Sequence, residues 1–174
     1  MKKMLSSIDA LTLILSVDRA LLEGLADWQE KAQHMIAEFT KRANLEFIFG
    51  AQNPLEDKCP QGYSVGYQYG FHPFYFAVAY HPLHSRMGVI VKFSASGWSA
   101  YCKAGNMNVK KFLHAVKSDS YNIRLSRIDF AVDYQDWDIS VDDIYQKLKK
   151  EHLEIRDSNG RKNRSSVTAF FMMT

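Results

Sequence analysis

Arg127, Asp129 and Asp133 fall within the stretch RLSRIDFAVDY, residues 124–134. Read with a period of two, Ile128, Phe130, Val132 and Tyr134 lie on one side of an extended strand. Arg127, Asp129, Ala131 and Asp133 lie on the other. A strand carboxylate can hold a divalent cation that completes its shell with water and phosphate oxygens, and a guanidinium can grip either a carboxylate or a phosphate. At ~3.3 Å per residue, Asp129 and Asp133 stand roughly 13 Å apart and cannot chelate one ion together unless a bulge shortens the strand. Arg127 and Asp129 are about 7 Å apart at Cα by the same arithmetic, so Arg127 can hold one aspartate while the other is free to act. A solvated sheet surface has the same pattern, and spacing alone does not separate the two.

Other residues with chemical potential are scattered. Arg161, Lys162 and Arg164 follow Gly160 in a basic loop, a composition that binds phosphates through charge with little sequence preference. Trp98 and Tyr101 sit beside Gly97, where their rings could stack on unpaired bases or fill a core. His81 and His84 flank Pro82 in HPLH, which reads as a polar turn and not as a metal pair on one face. Cys59 and Cys102 form neither a ligand cluster nor a disulfide framework. No Walker-type phosphate loop, dinucleotide fingerprint or Ser/Cys nucleophile motif occurs, and none of the nine tyrosines stands out as a nucleophile.

The elements that must position these residues follow from periodicity. Residues 8–16 read as a buried strand behind a short polar lead. Leu21, Leu22, Leu25, Trp28, Ala32, Met35, Ile36 and Phe39 repeat at three- and four-residue spacing, predicting a helix over 18–43 with Asp18 as its cap. NLEFIFG reads as a strand ending at Gly50. Alternation in YSVGYQYGF, then FYFAVAYH and MGVIVKFS, predicts three more strands, and ASGWSAYCKAG a bent one with glycine near both ends. A short helix over 109–117 precedes the 124–134 strand. A second, capped by Ser140 with Asp143 at its third position, follows it, and VTAFFMM predicts a last strand. Strands outnumber helices and hairpin spacing dominates, so the expected class is α+β, a single mainly antiparallel sheet covered by helices on one face.

At 174 residues the chain is sized for one domain over 1–174. Its charge is uneven: residues 1–102 carry nine Lys+Arg against nine Asp+Glu, and 103–174 carry thirteen against ten. The positive excess therefore sits beside the 124–134 strand. The apolar run near the N-terminus is interrupted by Asp9 and lacks a cleavage pattern, and no segment approaches the ~20 apolar residues of a membrane span. A cytoplasmic protein with no membrane partner is expected.

SRIDFAVDY resembles the Arg-hydrophobic-Asp-hydrophobic-Ala-hydrophobic-Asp strand of the replication initiation factor family, which includes initiators of rolling-circle plasmids and phages and relaxases of conjugative elements. SIDALTL is similar to the family's opening strand, and FSASGWSAYCK to its glycine-containing strand. The resemblance covers the N-terminal and middle parts of the family's domain. It implies rolling-circle replication initiation by site-specific nicking of one DNA strand, through a tyrosine assisted by Mg²⁺ or Mn²⁺. It further implies Asp129 and Asp133 as metal positions and Arg127 as an orienting or phosphate-binding residue. DNA contacts are expected from Arg127, Arg161, Lys162, Arg164, Lys103 and Trp98. The implied partners are origin DNA, single-stranded or hairpin, a host helicase and a second copy of the chain. Cys102 and Lys103 stand where the family usually has an acidic residue, and the family's nucleophilic tyrosine lies in a later basic segment. The chain is thus expected to be the N-terminal portion of a longer initiator or relaxase domain, its nucleophile elsewhere. The alternative is a non-catalytic module that recognises origin DNA.

Overall fold

The computed structural model describes residues 3–18, 22, 24–55, 59–60, 62–70, 76–135 and 140–150. Six strands form one antiparallel sheet: β1 (Lys3–Ser16), β2 (Asn53–Pro54), β3 (Val65–Tyr69), β4 (Phe76–Tyr80), β5 (Val89–Phe93) and β6 (Asn122–Gln135). Their order is β2-β3-β4-β5-β1-β6, so β1 lies between two strands that come much later in the chain. The helices are α1 (Leu25–Arg42), α2 (Leu45–Phe49), α3 (Ala95–Gly105), α4 (Val109–Ala115) and α5 (Val141–Lys149). The class is α+β, as the hairpin spacing predicts. Ser6–Ala131 form one compact unit and Met1–Leu5 with Val132–Thr174 another.

Within Ser6–Ala131, register lines up the core. Leu11 faces Phe93, Phe93 faces Phe76, and Phe76 faces Tyr69, while Leu13, Val91 and Val78 form the next row. These side chains are essentially inaccessible, and α1 covers them with Trp28, Ala32, Met35, Ile36 and Phe39. Trp98 and Tyr101 of α3 and Phe112 of α4 complete an aromatic cluster around Phe93. Its polar edges are satisfied: the Tyr101 hydroxyl donates to the Ala43 carbonyl at 2.9 Å, and the Trp28 indole donates to the His81 carbonyl at 2.9 Å.

Three sequence expectations change. The long helix starts at Leu25 with Gly24, not Asp18, at its cap; glycine in a helix interior costs about 1 kcal/mol relative to alanine, so the helix forms after it. NLEFIFG is not a strand. Asn44 turns left-handed (φ 55°) directly after α1, and Leu45, Ile48 and Phe49 then face the core at helical spacing, making α2. ASGWSAYCKAG is likewise a helix, α3. The Ser94 hydroxyl accepts the Gly97 N–H at 3.0 Å, and Trp98, Tyr101 and Cys102 take one face. The remaining caps follow the reading: Ser140 and Asp143 exchange hydrogen bonds in a capping box at the start of α5. VTAFFMM lies outside the described residues.

One tie joins α1 to the segment that leads into β6. Glu38 accepts hydrogen bonds from Ser118 at 2.5 Å and from Arg42 at 2.8 Å. The Ser118 and Ser120 hydrogen bonds are the largest influence on its carboxyl, partial burial opposes them, Arg42 adds to them, and the result is about 2, down from 4.5. A depressed carboxyl stabilises the fold fully above its unfolded value and progressively less as pH falls from 4.5 toward 2. Because the site is partly open to water, the contribution is on the order of 1 kcal/mol. Glu38→Gln should therefore flatten the acid limb of stability between those values while leaving neutral pH lower by that amount, as read from urea midpoints across pH.

Candidate nucleic-acid interface

The second face of the sheet, opposite the aromatic core, is built by the residues that alternate with it. Thr12 pairs with Lys92, Lys92 with Ala77, Ala77 with Gln68 and Gln68 with Asn53, a row whose side chains are polar or small. Lys92 is exposed in this row, whereas Thr12 and Ala77 on either side of it are buried. β6 adds arginines through a departure from strict alternation. Ile123 and Ile128 are five residues apart, yet both pack against the core. A strict period of two would send them to opposite faces, so the strand slips by one residue between them, as a β-bulge does. Their neighbours Arg124 and Arg127 consequently share the second face. Arg124 acts there on the Tyr63 hydroxyl, pulling against the upward push of burial, and that hydroxyl donates to the Met87 carbonyl at 3.2 Å.

Arg127 and Asp129 do meet. The Arg127 Nε donates to one carboxylate oxygen at 2.8 Å and a terminal nitrogen to the other at 2.5 Å. This two-pronged bond holds the Asp129 carboxyl below, and the Arg127 guanidinium above, their ordinary values. Asp129 is thus the held aspartate. The Arg127 side chain is 67% exposed, its outer edge open to solvent.

Asp133 is exposed in β6 within the other compact unit, and it has no hydrogen-bond or ion-pair partner among the described residues. No group of three or more His, Cys, Asp or Glu residues able to hold a metal ion occurs among the described residues. With both Asp129 oxygens engaged by Arg127, the donors among the described residues do not by themselves fit a divalent cation.

The apolar side of β6 is divided. Ile128 packs against the core, whereas Phe130 is 72% exposed beside a shallow groove formed with Ile8 and Trp98. Trp98 itself is 5% exposed, stacked on Tyr101 and set edge-on to Phe93 and Phe112, so its ring is committed to the core and not offered to a base. Lys103 is exposed in the last turn of α3. Arg161, Lys162 and Arg164 lie outside the described residues. No helix among the described residues is long and apolar enough to cross a membrane.

No family model, curated protein or solved structure matches this chain. The resemblance therefore rests on its motifs, and the fold treats them unequally. SIDALTL lies within β1 and SRIDFAVDY within β6, both strands, while FSASGWSAYCK, read as a strand, runs from the end of β5 into helix α3.

The sequence reading overlooked Lys92 and Arg124. Lys92 had a signal, the single charge in the apolar run VIVKF. Arg124 had none, because strict alternation puts it on the face of Ile128.

Proposed function

We propose that the chain is a DNA-binding module of a rolling-circle replication system, engaging the phosphates of unpaired origin DNA with the second face of its sheet. The reading is supported by Ile123 and Ile128, which both pack against the core, so that their neighbours Arg124 and Arg127 are inferred to turn toward the face that carries Lys92. Asp129 is the countercharge that orients Arg127 and keeps its guanidinium edge outward. The replication context rests on the resemblance of SRIDFAVDY. Contacts of this kind depend on charge and release counterions, so binding needs no divalent cation and weakens steeply with salt.

Titrating a labelled single strand at several salt concentrations, with and without Mn²⁺, tests the reading. Replacing Lys92, Arg124 and Arg127 together by glutamine should lower the logarithmic salt slope by about 2, at roughly 0.7 per single-strand phosphate contact. Asp129→Asn removes a negative charge and releases Arg127, so affinity should hold or rise a few-fold. A loss of binding in Asp129→Asn that appears only with Mn²⁺ would sink the proposal.

Metal-dependent nicking is the second reading, favoured by the Asp133 carboxylate, which has no partner among the described residues. Incubation with Mn²⁺ and supercoiled DNA carrying the coding sequence and its flanks separates the two. Nicked circles with a covalent nucleotide adduct on the chain would establish cutting, and intact circles that are bound fit the module.

A further inference from the structure

Phe47 is 85% exposed, the most exposed large apolar side chain among the described residues, while Leu45 of the same helix is fully buried. It stands at the lip of a cavity of about 510 Å³ where α1, α2 and β3 meet. That volume lies within the range of small-molecule sites. The floor is a chain of hydrogen bonds. Thr40 and the Tyr69 hydroxyl are 2.8 Å apart, and the Tyr69 hydroxyl donates to the Gln52 side-chain oxygen at 3.0 Å. With its one proton given to Gln52, Tyr69 accepts from Thr40. Gln52 is thereby oriented with its oxygen engaged, and its amide nitrogen keeps two donors that have no partner among the described residues.

Lys41 and Asn44 line the same cavity, and their side chains also have no partner among the described residues. Asn44 is held there by its left-handed backbone. Glu46, the one carboxylate on the lining, disfavours an anion near itself but can accept from an exocyclic amine. An exposed aromatic face, oriented amide donors and a cation around one recess suit a planar heteroaromatic ring carrying an anionic group. An aliphatic ligand would leave the amides unpaired, and a bare anion would make no use of Phe47.

We propose that this recess binds one nucleotide, its base stacked on Phe47 and met by the Gln52 and Asn44 amides, its phosphate at Lys41. The nucleotide is either free or one residue of an unpaired strand. None of the second-face cations takes part, so the site stands or falls apart from the module proposed above.

The test titrates the whole chain with deoxyadenosine 5′-monophosphate and with an eight-residue deoxyadenosine oligomer, using wild type, Phe47→Ala and Phe47→Trp. Because Phe47 is exposed, the alanine variant should keep the wild-type unfolding midpoint. Phe47→Ala should weaken binding about tenfold or more, and Phe47→Trp should retain it. Monophosphate binding with that loss identifies the free nucleotide, and oligomer binding alone with the same loss identifies the strand. The Lys92, Arg124 and Arg127 triple variant should still bind the monophosphate if wild type does, which separates failure of the second face from failure of the recess. Affinity for both probes unchanged by Phe47→Ala, or neither probe bound, would overturn the proposal.

Discussion

Replacing Gly88 by alanine is expected to cost about 3 kcal/mol or more of folding stability, a large share of the 5–15 kcal/mol typical of a domain. Two independent effects add. Gly88 has φ 69° and ψ −164°, a conformation essentially closed to residues with a side chain. An added Cβ would also stand 2.3 Å from the Leu15 carbonyl oxygen and 2.8 Å from the Ile14 Cγ2. Neither obstacle is the loose end of a flexible chain, because both belong to β1, and β5 begins pairing with β1 at the next residue, Val89 opposite Leu15. Relief therefore requires shifting a central strand. Urea unfolding of Gly88→Ala should show a much lower midpoint with an unchanged slope, and a midpoint equal to wild type would refute the close approach.

Phe93→Ala should cost about 4 kcal/mol. The Phe93 ring lies 4.1 Å from Phe76, 5.2 Å from Trp98, 5.4 Å from Phe112 and 5.5 Å from Tyr101, centroid to centroid, and it is fully buried. Truncation leaves a cavity faced by four rings on β4, α3 and α4 that cannot all close on it, and it removes several edge-to-face contacts worth ~1 kcal/mol each. Phe93→Leu keeps most of the volume and should lose less than half as much. The two urea midpoints measure the contrast; a Phe93→Leu midpoint equal to wild type would mean that ring geometry adds nothing beyond apolar bulk, and equal midpoints for the two variants would refute the cavity argument.

How far the sequence was legible depends on how many elements each residue had to satisfy. Residues 8–16 show their strand as a short apolar run, buried on both faces over 11–15, and Met35, Ile36 and Phe39 show their helix through its spacing, because one helix face meets the core. Residues 44–50 and 95–105 mislead for a shared reason. Both are short, aromatic and ended by glycine, which suits a strand end as well as a helix end. Their helical state is set by the Asn44 turn in one and the Ser94 cap in the other. Of the candidate interface, the Arg127–Asp129 bond was legible because two residues along one strand face bring long side chains together. The company of Arg124 was not, since a slip within β6 leaves no mark in composition. The recess under Phe47 was hidden by the same misreading of α2, for a strand would have turned alternate side chains into the sheet.

The position of β1 between β5 and β6 has a consequence for synthesis on the ribosome. β1 emerges before every other strand, but its partners are Val89–Phe93 and a strand that begins at Asn122. Its leucine-rich face must therefore wait, unpaired, while most of the chain is made. Closing such long loops is entropically costly, and chains dominated by distant pairings fold slowly and expose sticky strands meanwhile. The helix α1 is the earliest partner available to shield Leu11, Leu13 and Leu15, since it joins them in one core and follows directly in the chain. A nascent chain halted after α1 is thus poised for chaperone capture, and release into the native sheet becomes possible only once β6 has cleared the exit tunnel.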